Sequence, residues 1–145
     1  MLRILTNLNL LNRFDVTATA GLLASGVTGS WVSKVTDSID LPAAAGDYAM
    51  VVWTESNRDG TVGFTPDVTA TGKLTVLQGQ FRALTDQYAG TPAVGDVLIA
   101  GTDGTVEVDT DPYDTHLRVV GWCTKAPHTL SHLGSDHTVI EIMTN

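Results

Sequence analysis

The amino-acid sequence predicts a mostly β protein, a compact antiparallel β-barrel or β-sandwich with an extended N-terminal arm. Three observations lead there. Val, Ile and Thr supply 42 of the 145 residues, and branching at Cβ suits a side chain to a pleated strand. Thirteen of the sixteen acids are Asp and only Glu55, Glu107 and Glu141 are Glu, so the acidity sits in a residue that favours turns and resists helix interiors. Short apolar stretches recur at intervals of about ten residues with Gly, Asp and Pro between them, the rhythm of strands in a barrel or sandwich.

Residues 1–15 are read as the arm. Leu2, Ile4, Leu8 and Leu10 follow a period of two, while Ile4, Leu8 and Leu11 fit a helical face, and Asn7, Asn9 and Asn12 weaken the helix. Two readings stay open. One is an arm ending near Phe14 whose apolar side chains meet another polypeptide; the other is an ordinary first strand or short helix packed on its own core. A single β domain is expected over residues 16–145.

Within that domain, Val16–Gly29 is rich in Thr, Ala, Ser and Gly and reads as a loop or irregular strand. Gly29–Val35 alternates as a strand, Asp37–Leu41 returns from it, and Pro42–Asp47 is too closely bracketed by breakers for a helix. Tyr48–Glu55 is apolar on both faces, Met50 and Val52 opposing Val51 and Trp53, which predicts a central strand. Asn57–Gly60 holds an Asp-Gly hairpin turn, and Thr61–Thr65 returns from it. Lys73–Leu77 leads into Gln78-Gly79-Gln80, where a glycine in a strand pattern predicts a bulge or a close backbone approach, and Phe81, Ala83 and Leu84 resume the apolar content. Asp96–Ala100, the Asp103-Gly104 turn, Thr105–Val108, Leu117–Thr124 and His137–Thr144 complete the set.

Composition narrows the function classes. A formal charge of −8, from eight basic and sixteen acidic residues, repels phosphate backbones, so nucleic acid is not an expected partner. No apolar run reaches the length of a membrane span, so no membrane partner is expected. Thr6, Asn7 and Asn9 interrupt any signal-peptide core at the start. The single cysteine, Cys123, cannot form an internal disulfide, and its setting after Val119-Val120-Gly121-Trp122 reads as a small buried hydrophobe. Trp31, Trp53 and Trp122 lie in strand-like contexts, where core packing with a hydrogen-bonded indole N–H is the ordinary state.

The search for chemistry finds no G-x-S-x-G elbow, no Walker loop, no H-E-x-x-H and no C-x-x-C. No catalytic residue, cofactor or metal site is therefore predicted, and the chain is not expected to be an enzyme. Two groups come nearest to holding an ion. His128, His132 and His137 sit close in sequence, but two histidines four apart ligate together on a helix, and Pro127 and Gly134 leave little room for one. They read as a polar loop. Asp109, Asp111 and Asp114 could surround calcium, but the run lacks the glycine and terminal glutamate of an EF-hand loop and Pro112 stiffens it.

Gly26-Val27-Thr28-Gly29-Ser30-Trp31-Val32, an Asp-rich spacer, Gly72–Tyr88, Val94-Gly95-Asp96-Val97-Leu98 and Val119–Ala126 together resemble small structural proteins of tailed bacteriophages. The likeness is to the decoration, or cement, proteins on the outside of the head. It covers Gly26–Ala126 and is one of style; because that group contains several unrelated folds, no fold carries over. What the resemblance implies is a non-enzymatic protein, made in the host cytoplasm, that binds the outer capsid surface of the virion and stabilises it by clamping major capsid protein subunits. It also implies self-association as a dimer or trimer. Leu2, Ile4, Leu8, Leu10, Leu11 and Phe14 are then the expected contact residues, with strand addition to a sheet edge as one mode of contact. A tail or fibre component, or a carbohydrate-binding adsorption module, is the alternative.

Overall fold

The computed structural model describes residues 2–7, 12–25, 29–52, 73–111, 118–132 and 134–145. In chain order these form β1 (Leu2–Asn7), β2 (Asn12–Thr17), α1 (Ala20–Ser25), β3 (Trp31–Val35), β4 (Ser38–Asp40), β5 (Met50–Val52), β6 (Lys73–Gln78), β7 (Phe81–Thr85), β8 (Val97–Ala100), β9 (Val106–Val108), β10 (Val119–His132) and β11 (Ser135–Thr144). The strands make two sheets, one in the order β1-β7-β11-β10-β8-β9 and the other β2-β6-β5-β3-β4. Every pairing between these strands is antiparallel. Among the described residues each sheet keeps two edges, so the architecture is β-sandwich-like.

The core lies between the sheets. Trp31, Val51 and Leu77 from one sheet meet Phe81, Leu98, Val106, Ile140 and Ile142 from the other, all buried. Fully burying a side chain the size of Phe81 contributes about 1.5–3 kcal/mol relative to leaving it in water. A second cluster covers the outer face of the smaller sheet, where Val32, Met50, Val52, Leu74 and Val76 pack with Leu22 and Ile39. Met50 and Val52 therefore face one cluster and Val51 the other, as the doubly apolar sequence predicts, and β5 is central in its sheet.

Three expectations are corrected. Val16–Gly29 is not a loop or irregular strand: it contains the end of β2 and the helix α1, whose Leu22 is buried and donates its N–H to the capping Thr19 Oγ1 (3.2 Å). The leucine supplies the burial that a six-residue helix needs in place of length. His128–His132 is not a loop either, because β10 continues through it. Pro127 is tolerated since the β10–β11 register shifts between Lys125 and His128, leaving no ladder hydrogen bond for the missing N–H to make. The third correction concerns residues 1–15. β1 pairs with β7 from Leu2 opposite Thr85 to Asn7 opposite Phe81, and β2 pairs with β6 from Asn12 opposite Gln78 to Thr17 opposite Lys73. The described part of the expected arm is thus an edge strand in each sheet. The hairpin expected at Asn57–Gly60 and Thr61–Thr65 lies outside the described residues.

At Gly79, where a bulge or a close backbone approach is expected, the structure has a bend between strands instead. Gly79 lies between β6 and β7, where the chain passes from one sheet to the other, with φ at 135°. Thr144 fastens this crossing, its Oγ1 donating to the Gly79 carbonyl (2.7 Å) and accepting the Phe81 N–H (2.9 Å).

Candidate functional site

The residues expected to contact a partner divide three ways. Leu2 and Ile4 are half-buried and pack against the inter-sheet core, while Leu5 is 39% exposed. Phe14 occupies β2 opposite Val76. Leu8, Leu10 and Leu11 lie outside the described residues. Leu2 and Ile4 have found their apolar neighbours within the chain, because the strand that carries them completes an edge beside β7.

The long hairpin of β10 and β11 reaches beyond its sheet. β8 pairs with β10 at Val119–Trp122 and β7 pairs with β11 at Ile140–Met143, whereas His128–His132 and Ser135–Val139 pair only with each other among the described residues. A two-stranded ribbon results. One face carries the cross-strand pairs His128–Val139, Leu130–His137 and His132–Ser135; the other carries Thr129–Thr138 and Ser131–Asp136 and is exposed. Ser131 Oγ donates to Asp136 on that outer face. At the ribbon's base His137 Nδ1 lies 3.5 Å from an Asp86 oxygen. Partial burial works to raise the Asp86 carboxyl, but hydrogen bonds, including one from Gln87 Nε2 (2.8 Å), and the nearby His137 hold it below its usual range.

The two groups nearest to an ion site in sequence do not converge. His128 and His132 point to the same face of an extended strand, where residues four apart are about 13 Å from each other. Among the described residues no three His, Cys, Asp or Glu side chains are placed to hold a metal. Asp109 instead closes a turn, accepting the Asp111 N–H at 2.9 Å, and Asp114 lies outside the described residues. Cys123 is buried, its thiol pushed up by desolvation and donating to the Lys125 carbonyl at 3.3 Å, so it lacks thiolate character.

A cleft of about 260 Å³ opens at one end of the sandwich, where the start of β3, the β6–β7 crossing, the start of β10 and the end of β11 come together. Trp31, Leu77, Phe81 and Val120 give it an apolar floor, and Tyr48 and Arg118 stand at its exposed rim. Trp31 is 3% exposed, and its Nε1–H is the buried side-chain donor that finds no acceptor among the described residues. The ordinary expectation for a core tryptophan fails here. The sequence held no signal for this cleft, because residues far apart in the chain meet there only once both sheets have formed. Comparison with known proteins finds no family model, no curated protein and no solved structure that matches this chain.

Proposed function

We propose that this chain is a non-enzymatic structural protein that decorates the outer surface of a tailed-phage head and clamps neighbouring subunits of the major capsid protein, associating with itself as a dimer or trimer on that shell. The ribbon of β10 and β11 is the observation that carries the reading. A protein that holds its neighbours needs an element that extends past its own core, and this hairpin offers an exposed face of Thr129, Ser131, Asp136 and Thr138 on a stiff paired backbone. Weak contacts repeated over many copies hold a shell through effective concentration. With Leu2 and Ile4 packed at home, the ribbon replaces the N-terminal segment as the contact surface.

The test has two parts. Quantifying the polypeptide against the coat protein in purified particles should give hundreds of copies; a handful per particle would assign it to the tail, and retention on host polysaccharide would favour the adsorption reading. The double variant T129E/T138K adds bulk to the exposed face while keeping an attractive cross-strand pair. It should fold normally by circular dichroism and lose most of its occupancy on the head. Undiminished occupancy would remove the ribbon from the interface.

A further inference from the structure

We infer that the outer edge of β10 at His128–His132 pairs antiparallel with the same edge of a second copy of this chain, joining two ribbons into a four-stranded sheet. This rests on the self-association proposed above and narrows it to a dimer. An unpaired strand edge is a template for another strand unless something blunts it, such as brevity, a bulge, a cover or charged side chains. Each of the four strands that end the two sheets has such a device. β1 carries Arg3 and a register shift between Ile4 and Thr6, β2 carries Arg13 and Asp15, and β4 and β9 are three residues long and bridged by Ala18 and Tyr88. The ribbon edge has none of these. Five consecutive pairs, from His128 opposite Val139 to His132 opposite Ser135, run without a shift, and past Pro127 β10 holds no lysine, arginine or carboxylate. Among the described residues no further strand or backbone hydrogen bond reaches this edge.

The order of residues along the edge selects a second copy as the occupant. An antiparallel two-fold centred on Leu130 sets Leu130 against its counterpart, Thr129 against Ser131 and His128 against His132, so apolar meets apolar and hydroxyl meets hydroxyl. No carboxylate comes opposite another, which matters between copies that each carry a charge of −8. The β11 edge is less suited, because Asp86 lies beside His137 at its base and a two-fold axis there would bring the Asp86 carboxylates of both copies toward each other. A two-fold pairing closes at two copies. Five residues a side are far fewer than the roughly 20–30 of a standard interface, so the dimer is weak in solution and gains from repetition on a shell.

The test uses the intact protein without coat protein, followed by sedimentation from micromolar to millimolar concentration and by backbone amide exchange. The wild type should pass from monomer to dimer, and alternate amides of residues 128–132 should gain protection as it does. T129K/S131K sets lysine opposite lysine across the two-fold, while within each ribbon position 131 faces Asp136. It should fold normally by circular dichroism and raise the dimer dissociation constant about tenfold; should it misfold, amide exchange in the wild type decides alone. The inference is overturned by a wild type that stays monomeric at millimolar concentration, by a trimer, by a dimer whose amides at 128–132 exchange as in the monomer, or by an unchanged constant in the folded variant. Protection that arises only on adding coat protein also overturns it and gives the edge to a coat strand. Occupancy on heads is a separate readout: a monomer that still coats them removes this pairing and keeps the proposed function, whereas a dimer absent from them does the reverse.

Discussion

At the scale of single residues, Gly121 shows how closely two strands are drawn together. A Cβ built at this position would run into the Met143 carbonyl and lie 2.8 Å from Thr144 Cα. Both are backbone of the paired strand and cannot rotate aside. G121A should therefore cost about 1–3 kcal/mol, the range for forcing an extra methyl into a packed interior, and a urea midpoint indistinguishable from wild type would contradict that contact. Glu141 supplies a pH-dependent term. Arg82 Nε donates to its Oε1 at 3.0 Å and holds the carboxyl below its usual 4.5, partial burial opposes this, and Thr124 Oγ1 donates to the same oxygen at 3.0 Å. A carboxyl that is more acidic when folded contributes in full above that usual value, and the contribution disappears as pH falls through the folded pKa. E141Q should lower stability at neutral pH and flatten the acid limb of the stability curve, as measured by urea midpoints over a pH series. An acid limb of the same slope would show that other carboxyls govern it.

At the scale of elements, the N-terminal strands lead to a prediction opposite to that of a free arm. Removing residues 1–14 takes away all of β1 and half of β2, exposing β7 and β6 as new edges and uncovering part of the core beneath Leu2 and Ile4. The truncated chain should lose cooperative thermal unfolding or aggregate, by calorimetry and light scattering; a sharp transition near that of the full chain would mean these strands are dispensable. The sequence left this segment between arm and strand for a physical reason. Its leucines mark an apolar face, but the partners, Phe81–Thr85 and Lys73–Gln78, are remote in the chain, and pattern carries no information on distant pairing. Where both faces of a strand are apolar, as at Met50–Val52, or where an Asp-Gly pair reverses the chain, as at Asp103-Gly104, the local sequence sufficed. The ribbon was missed because Pro127 ordinarily ends a strand, and only the register shift beside it makes room. The helix α1 was hidden by its shortness and its glycine-rich surroundings.

At the scale of the whole molecule, the sandwich has two apolar layers, one between the sheets and one beneath α1 and β4. The mostly β class follows from composition and strand rhythm, whereas the division into two sheets depends on which strands cross between them. The same dependence hides the cleft: its floor joins Trp31 to Leu77, Phe81 and Val120 across both sheets. Two pairs of consecutive strands are divided between the sheets in matching fashion: β1 pairs with β7 in one sheet, and β2 with β6 in the other. That arrangement has a consequence for biosynthesis. Leu2 meets Thr85, so β1, once made, waits while about eighty more residues are translated, roughly 4–16 s at 5–20 residues per second. During that interval the nascent leucines are exposed to chaperones, and slowing elongation between the two halves should increase the fraction captured by them.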